Sequence, residues 1–210
     1  MIGDYTIKSA HDDYIYKVIT LPNNRIASCS QDETIKIWKS NPHYSDTPIK
    51  VLTGHSRDVI SLLYIKERDV MISGSYDKTL RLWNMSTYQC DKVIEGVFRC
   101  FTNSLYQIDK DRVIVGGDDS FCIVNIDKCV IEKRIKDKSL RRVDCFLKLR
   151  ENKTILCGCN KGIFCFYDMN TKQYKITKNN HNRAIYDILL IDDNTFLSCS
   201  EDTTIKVWKY

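Results

Sequence analysis

Long hydrophobic runs and a strong charge of one sign are both missing from this sequence of 210 residues. No apolar run approaches the roughly 20 residues that a membrane-spanning helix needs. The first eight residues carry no apolar stretch of the signal-peptide type, so we expect an intracellular protein, cytoplasmic or nuclear, that does not bind membranes. A net charge of +5 permits anionic partners but does not demand nucleic acid.

Motifs of several enzyme and cofactor-binding classes are absent as well. The sequence has only 8 glycines and no glycine-rich loop that could cradle a phosphate, and it has no His-Glu metalloprotease helix. Its aromatic residues are spread along predicted strands rather than interleaved with basic stripes, which disfavours RNA binding through stacked bases. We therefore expect no cofactor and no nucleic-acid partner.

Cysteine, in contrast, occurs ten times. In a protein that is not secreted, cysteines are expected to be reduced and buried. Cys157 and Cys159 stand two residues apart, which on a strand puts both side chains on one face. No second Cys or His pair stands at zinc-site spacing, so we expect both to be small core residues and expect no metal.

The most informative feature of the sequence is a stretch that occurs three times, over Ser28–Trp38, Ser73–Trp83 and Ser198–Trp208. In each copy an Asp lies four residues after the first Ser and six residues before the Trp. A His stands 17 or 18 residues upstream of each first Ser, and an apolar run follows that His. Such self-similarity indicates a repeat architecture.

This order of His, Ser, Asp and Trp resembles the WD-repeat (WD40-type) family, whose repeats build β-propellers. The resemblance implies an all-β WD-repeat β-propeller, or propeller segment, of five four-stranded blades in a single domain over residues 1–210. The repeats are expected at approximately 4–39, 48–85, 88–127, 129–169 and 172–210, and we number them 1 to 5.

In this family the first strand of the chain completes the last blade, and residues 4–10 are predicted to form that strand. A small five-bladed ring, an open arc and a part of a longer propeller all remain open at this point.

Repeat 4 is degenerate but aligns with repeat 2 without gaps at its motif. Cys157 stands at the position of the first Ser, Lys161 at that of the Asp and Tyr167 at that of the Trp. Ser139 stands at about the position of the His.

Repeat 3 is recognised by its period and by a Gly-Gly-Asp-Asp turn. Either Val124 or Asn125 takes the place of its Trp. We expect repeats 3 and 4 to rely on apolar packing, through Ile123, Phe164 and Phe166.

His, Ser and Asp are also the residue types of a hydrolase triad. However, a nucleophile is needed once, whereas this set occurs three times and always with a Trp that acyl transfer does not require. The resemblance implies a structural chain in which Trp donates a hydrogen bond to Ser, Ser to His and His to Asp. The predicted members are His11, Ser28, Asp32, Trp38, His55, Ser73, Asp77, Trp83, His181, Ser198, Asp202 and Trp208.

With no catalytic residue predicted, we expect a non-enzymatic scaffold that binds proteins or peptides, an inference that rests on the family resemblance. One alternative is the substrate-recognition module of a ubiquitin ligase complex. Another is a propeller appended to a larger enzyme such as a protein kinase. An F-box-like helical segment would favour the first and a nucleotide-binding lobe the second.

The resemblance places the loop at the motif His and the turn at the motif Asp on one narrow face, the top face. Repeat 1 carries Asp12, Asp13 and Glu33 there, whereas the other repeats are basic. Because arginine donates paired hydrogen bonds to carboxylate and phosphate, we expect an acidic or phosphorylated peptide there. A solvated rim of mixed charge is the alternative. The candidate binding residues are Arg57, Lys78, Arg99, Arg141, Arg142 and Arg183, with Lys161 adding charge.

Overall fold

The computed structural model describes residues 6–40, 46–97, 104–149 and 153–210, and almost all of its regular structure is β-strand. The chain divides into two compact parts, an N-terminal part up to Val97 and a C-terminal part from Phe98. The N-terminal part contains β1 (Ile15–Leu21), β2 (Arg25–Ser30), β3 (Ile35–Lys39), β4 (Lys50–Leu52), β5 (Val59–Ile65), β6 (Val70–Ser75), β7 (Leu80–Asn84) and β8 (Cys90–Ile94).

The C-terminal part contains the remaining strands. They are β9 (Ser104–Gln107), β10 (Arg112–Gly117), β11 (Ser120–Asn125), β12 (Val130–Lys136), β13 (Val143–Leu149), β14 (Thr154–Cys159), β15 (Ile163–Asp168), β16 (Tyr174–Thr177), β17 (Ile185–Asp192), β18 (Thr195–Ser200) and β19 (Ile205–Lys209). Two three-residue 3-10 turns, Lys66–Arg68 and Asn160–Gly162, lie in the β5–β6 and β14–β15 connections.

The strands form five antiparallel sheets, numbered here in chain order. Sheet 1 is β1–β4, sheet 2 is β5–β8, sheet 3 is β9–β12, sheet 4 is β13–β16 and sheet 5 is β17–β19. Within every sheet, consecutive strands are neighbours. This confirms the prediction of an all-β propeller segment built from short meandering sheets.

The sheets are offset by one strand from the sequence repeats. β4 pairs with β3, with Leu52 opposite Ile35, although the repeat pattern assigns β4 to repeat 2. In sheets 2, 3 and 4 the fourth strand (β8, β12 and β16) likewise pairs with the third strand, although in sequence it opens the next repeat. Each of sheets 1 to 4 therefore takes its outer strand from the segment that opens the next repeat.

The strand predicted over residues 4–10 is not found where the structure describes that segment. Residues 4 and 5 lie outside the described ranges, and residues 6–10 form turn and coil. Ser9 adopts a left-handed φ of 51°, which breaks an extended backbone. Within the described chain, sheet 5 has three strands.

Each part has its own apolar core. In the N-terminal part, Ile35 and Ile37 of sheet 1 pack in one cluster with Val59 and Leu62 of sheet 2. Burying a side chain of this size contributes about 1.5–3 kcal/mol, so packing between the two sheets contributes to stability.

The C-terminal core combines aliphatic side chains with aromatic rings that meet edge-on. Phe121 meets Phe146 and Tyr167 edge-on at centroid distances of 6.2 and 5.6 Å. Ile123 and Phe164 are buried, and Phe166 packs partly buried against the core. The predicted apolar packing of repeats 3 and 4 is therefore confirmed.

Six of the nine described cysteines are buried, Cys157 and Cys159 among them, and these two share one cluster. Burial raises the pKa of the Cys29 thiol to about 12 and that of Cys122 to about 11. These thiols stay protonated, as is usual for cysteines in an apolar core.

Among the described residues, no group of three or more His, Cys, Asp or Glu side chains is placed to hold a metal ion. The described part of the chain also has no helix of the length and apolarity required to cross a membrane.

Candidate functional site

The structure brings the four motif residues of repeat 2 into one hydrogen-bonded chain. Trp83 Nε1 donates to Ser73 Oγ at 2.8 Å. Ser73 Oγ and His55 Nε2 lie 2.7 Å apart, and His55 Nδ1 lies 2.7 Å from Asp77 Oδ2. Because a carboxylate can only accept, Nδ1 must carry a proton, and in the neutral ring Nε2 then accepts from the serine hydroxyl.

Repeats 1 and 5 repeat this geometry within about 0.2 Å. In repeat 1 the Trp–Ser, Ser–His and His–Asp distances are 2.8, 2.7 and 2.8 Å. In repeat 5 they are 2.7, 2.7 and 2.9 Å. The twelve predicted network residues thus form three separate networks, each linking two strands, a loop and a hairpin turn.

The motif Asp also fixes the hairpin turn in which it lies. Asp77 Oδ1 accepts from the Thr79 amide at 2.9 Å and from its hydroxyl at 2.7 Å, and Oδ2 accepts from the Ser56 amide at 3.2 Å. Burial alone would raise the pKa of Asp77, but the bonds from His55 and Thr79 outweigh it and hold the pKa well below its usual range. The carboxylate therefore stays ionised.

Sequence reasoning missed two further members of the networks. A Thr stands two residues after each motif Asp (Thr34, Thr79 and Thr204) and bonds to it in each case. A Ser stands two residues before each Asp, and its Oγ accepts a hydrogen bond from the backbone amide of that Asp (Ser30, Ser75 and Ser200). The fixed spacing of both residues in the three copies is the signal that could have found them.

The network serines are not placed to act as nucleophiles. Ser73 is fully buried, and its hydroxyl oxygen is shared between Trp83 and His55. Ser28 and Ser198 are buried in the same way. This geometry holds strands in register and leaves no space at the oxygen for a substrate carbonyl.

The pairing register of the strands aligns the degenerate repeat 4 with repeat 2. Val143 pairs with Cys159 as Val59 pairs with Ser75, and both precede a register shift. Counting four residues back reaches Ser139 in one repeat and His55 in the other. Ser139 therefore occupies the His position, and its hydroxyl donates to Asp137 Oδ1 at 2.7 Å.

The structure also decides between the two candidates for the Trp position of repeat 3. The hairpin there is one residue shorter, so that Gly117 pairs with Ser120 and Val113 with Val124. Asn125 does what Asn84 does in repeat 2, since its Oδ1 accepts from the amides two and three residues on. Val124 therefore stands at the Trp position.

The candidate peptide-binding residues fall into three groups. Arg57, Lys78 and Arg141 are exposed, and Arg183 is exposed while contacting Glu201 at 3.4 Å. Arg142 is half-buried, and its Nε donates to Asp144 Oδ1 at 2.6 Å. Asp144 stands only two residues after Arg142, so the sequence itself shows this partner. Arg99 lies outside the described residues.

Comparison with known families agrees with this geometry. The family described as "WD domain, G-beta repeat" matches residues 5–39, 46–84 and 172–209, together more than half of the chain. These are the three repeats that contain complete networks.

The chain is similar to nuclear distribution protein nudF of Aspergillus niger, with 33% identity over 100 residues, which is 47% of this chain and 22% of nudF. It is 24% identical over 176 residues to the WD repeat-containing protein 89 homolog of Dictyostelium discoideum, covering 79% of this chain and 45% of that protein. It is 35% identical over 83 residues to ubiquitin homeostasis protein lub1 of Schizosaccharomyces pombe, covering 39% of this chain and 11% of lub1. The chain spans less than half the length of each of these relatives.

Proposed function

Since the chain belongs to the WD40-repeat family, we propose that it is a non-catalytic, intracellular scaffold that binds other proteins or peptides. Its relatives include proteins named for nuclear distribution and for ubiquitin homeostasis, neither of which is named as an enzyme. A role as the substrate-recognition module of a ubiquitin ligase, and attachment to a larger enzyme such as a kinase, stay predictions. So does the assignment of residues 1–210 to a single domain.

The observation that carries this proposal is the contrast between the fixed networks and the side chains beside them. Each network uses its polar groups internally and locks one loop and one turn. The exposed residues on those loops and turns differ between repeats: Glu33 follows Asp32, Lys78 follows Asp77 and Thr203 follows Asp202. Variable side chains on a rigid frame are what a recognition surface requires.

We further propose that the ligand is an acidic or phosphorylated peptide. Arg57 and Arg183 occupy equivalent positions, two residues after the motif His, and both are exposed. Guanidinium groups suit carboxylate and phosphate because they donate in pairs. Arg142 holds Asp144, so we assign peptide binding to Arg57, Lys78, Arg141 and Arg183.

A peptide array with acidic, phosphorylated and neutral members tests this proposal. We expect wild-type protein to bind acidic or phosphorylated members, more weakly at high salt. The variant Arg57→Glu/Arg183→Glu should bind them at least about tenfold more weakly, equivalent to about 1.4 kcal/mol.

Lys66→Glu/Lys209→Glu is the matched control, because it makes the same change of charge at exposed residues at the other ends of the strands. Affinity that is unchanged by the Arg57→Glu/Arg183→Glu variant, or equally reduced in the control, would remove these arginines from the site. An array without any bound peptide would count against the scaffold itself.

A further inference from the structure

A basic cavity of about 370 Å³ lies in the C-terminal part, at the place where repeat 4 departs from the motif. We propose that it binds a phosphate monoester, such as a phosphorylated side chain of a partner protein. This deepens the proposed function, on which it rests, by assigning one chemical group of the ligand to repeat 4. The residues that carry the proposal are Lys138, Ser139, Arg141, Lys161, Ile163 and Lys178.

The cavity exists because repeat 4 has lost the outer half of its network. Ser139, Lys161 and Ile163 stand at the positions that His55, Asp77 and Thr79 occupy in repeat 2. There, imidazole, carboxylate and hydroxyl fill the space and bond to one another. In repeat 4 a small hydroxymethyl group replaces the imidazole, and buried Ile163 forms an apolar floor.

Four cationic side chains from three separate connections line this space. Lys138 and Arg141 come from the β12–β13 connection, Lys161 from the β14–β15 hairpin and Lys178 from the β16–β17 connection. All four are exposed, and none forms an ion pair within the described part of the chain. Like charges gathered in this way repel one another, and a bound anion relieves that repulsion.

The carboxylate of Asp137, which precedes the lining residue Lys138, is already engaged. Asp137 accepts from the Ser139 amide and hydroxyl at 2.9 and 2.7 Å and from the Tyr174 hydroxyl at 3.3 Å. The bonds from Ser139 are the main cause that lowers the pKa of Asp137, and Lys178 contributes. Among the described residues that line the cavity, four are cationic and none is acidic.

The connections that carry the cations are held together before any ligand binds. The amides of Asn180 and His181 both donate to the Gly162 carbonyl, each at 3.1 Å. Gly162 has a φ of +69°, and a Cβ there would collide with the His181 carbonyl. Lys161 and Lys178 are therefore carried by segments fixed to each other, which reduces the ordering cost of binding.

The charge of the site selects the class of ligand. A phosphate monoester carries about −1.5 to −2 charges at pH 7 and three strong acceptor oxygens, whereas a carboxylate carries one charge. Lysine ammonium groups donate to such oxygens from several directions, and Arg141 adds a planar pair of donors.

The test is an NMR titration of the isotopically labelled full chain at constant ionic strength. The probe is the capped tripeptide acetyl-Gly-phosphoserine-Gly-amide, and its unphosphorylated twin is the reference. We expect the phosphorylated probe to shift the amides of Lys161, Gly162 and Asn179, and the twin to leave them in place.

The variant Lys161→Asn/Lys178→Gln should weaken binding of the probe at least about tenfold. Asn tolerates the left-handed φ of 64° at residue 161, so the hairpin is retained. The matched control Lys133→Gln/Lys175→Gln removes two exposed lysines from β12 and β16 and should bind as wild type.

Equal affinity in all three proteins, or binding of the unphosphorylated twin, would overturn the proposal. If array peptides bind but the phosphoserine probe does not, this pocket is wrong and the scaffold stands. If the probe binds here but no array peptide binds, the pocket stands and the scaffold is wrong.

Discussion

At the scale of single residues, stability depends on which polar groups would be left without partners. Asp77 is the acceptor for His55, for Thr79 and for the Ser56 amide, and His55 is buried. Removing such an acceptor leaves buried donors unsatisfied, and each one costs more than an ordinary hydrogen bond is worth. Lys161, at the equivalent position of repeat 4, is exposed and accepts no such bonds.

We therefore expect Asp77→Ala to lower the free energy of unfolding by about 1–3 kcal/mol and Lys161→Ala to change it little. Urea denaturation of both variants beside wild type measures the difference. Equal losses in the two variants would mean that the network roles are misassigned.

The motif carboxylates also predict how stability responds to acid. Burial alone favours the neutral acid at Asp32, but hydrogen bonds from Thr34 and His11 prevail and lower its pKa from 3.8 to about 2. A carboxyl with a lowered folded-state pKa stabilises the fold above its unfolded value, and this stabilisation is lost as pH falls through the folded value.

We expect the melting temperature of wild type to fall as pH decreases from about 4 to about 2. Asp32→Asn should start lower at neutral pH and show a shallower decline, because one of the contributing carboxylates is gone. Melting curves across this pH range provide the measurement, and an unchanged slope in the variant would contradict the account.

At the scale of elements, the turn between β14 and β15 depends on a glycine. Gly162 has a left-handed φ and lies against the His181 backbone, whereas Gly96 has a similar φ of +68° with open space around its Cβ position. Replacing Gly96 therefore introduces backbone strain alone, whereas replacing Gly162 introduces backbone strain and a steric collision.

Gly96→Ala should cost roughly 1 kcal/mol from strain, whereas Gly162→Ala should cost clearly more because His181 must also move. The free energies of unfolding of the two variants are the quantities to compare. A Gly162→Ala cost no larger than that of Gly96→Ala would show that the contact with His181 is easily relieved.

The sequence predicts an element well when the residues that determine it lie close together in the chain. The hairpins with complete motifs were predictable because Ser, Asp and Trp all lie within eleven residues. The offset of β4 was implied only by the family resemblance, because no local motif links β4 to its partner β3. The Trp position of repeat 3 required the register, since a turn shorter by one residue leaves no mark in the sequence.

The candidate site shows the same limit. Arg57 and Arg183 were found because each stands two residues after a motif His. Arg142 was named for its charge, but its guanidinium belongs to Asp144. Lys138 and Lys178 were missed, because they are 40 residues apart and only the fold brings them to one cavity with Lys161.

At the scale of the whole molecule, the residues that stabilise the fold differ from those proposed to bind the ligand. Buried networks in repeats 1, 2 and 5 join strands, loops and turns, whereas the basic residues proposed to bind the ligand are exposed on the loops beside them. The net charge of +5 is too small to drive binding by itself, so selectivity must come from where the cations stand.

The most direct test of this separation is the dissociation constant of an acidic or phosphorylated array peptide, measured below the melting temperature for two variants. Ser73→Ala breaks a network, and we expect a lower melting temperature with affinity unchanged for the folded protein. Arg57→Glu/Arg183→Glu changes only exposed residues, and we expect wild-type melting with affinity at least about tenfold weaker. Weaker binding by folded Ser73→Ala, together with wild-type affinity in the arginine variant, would contradict the account.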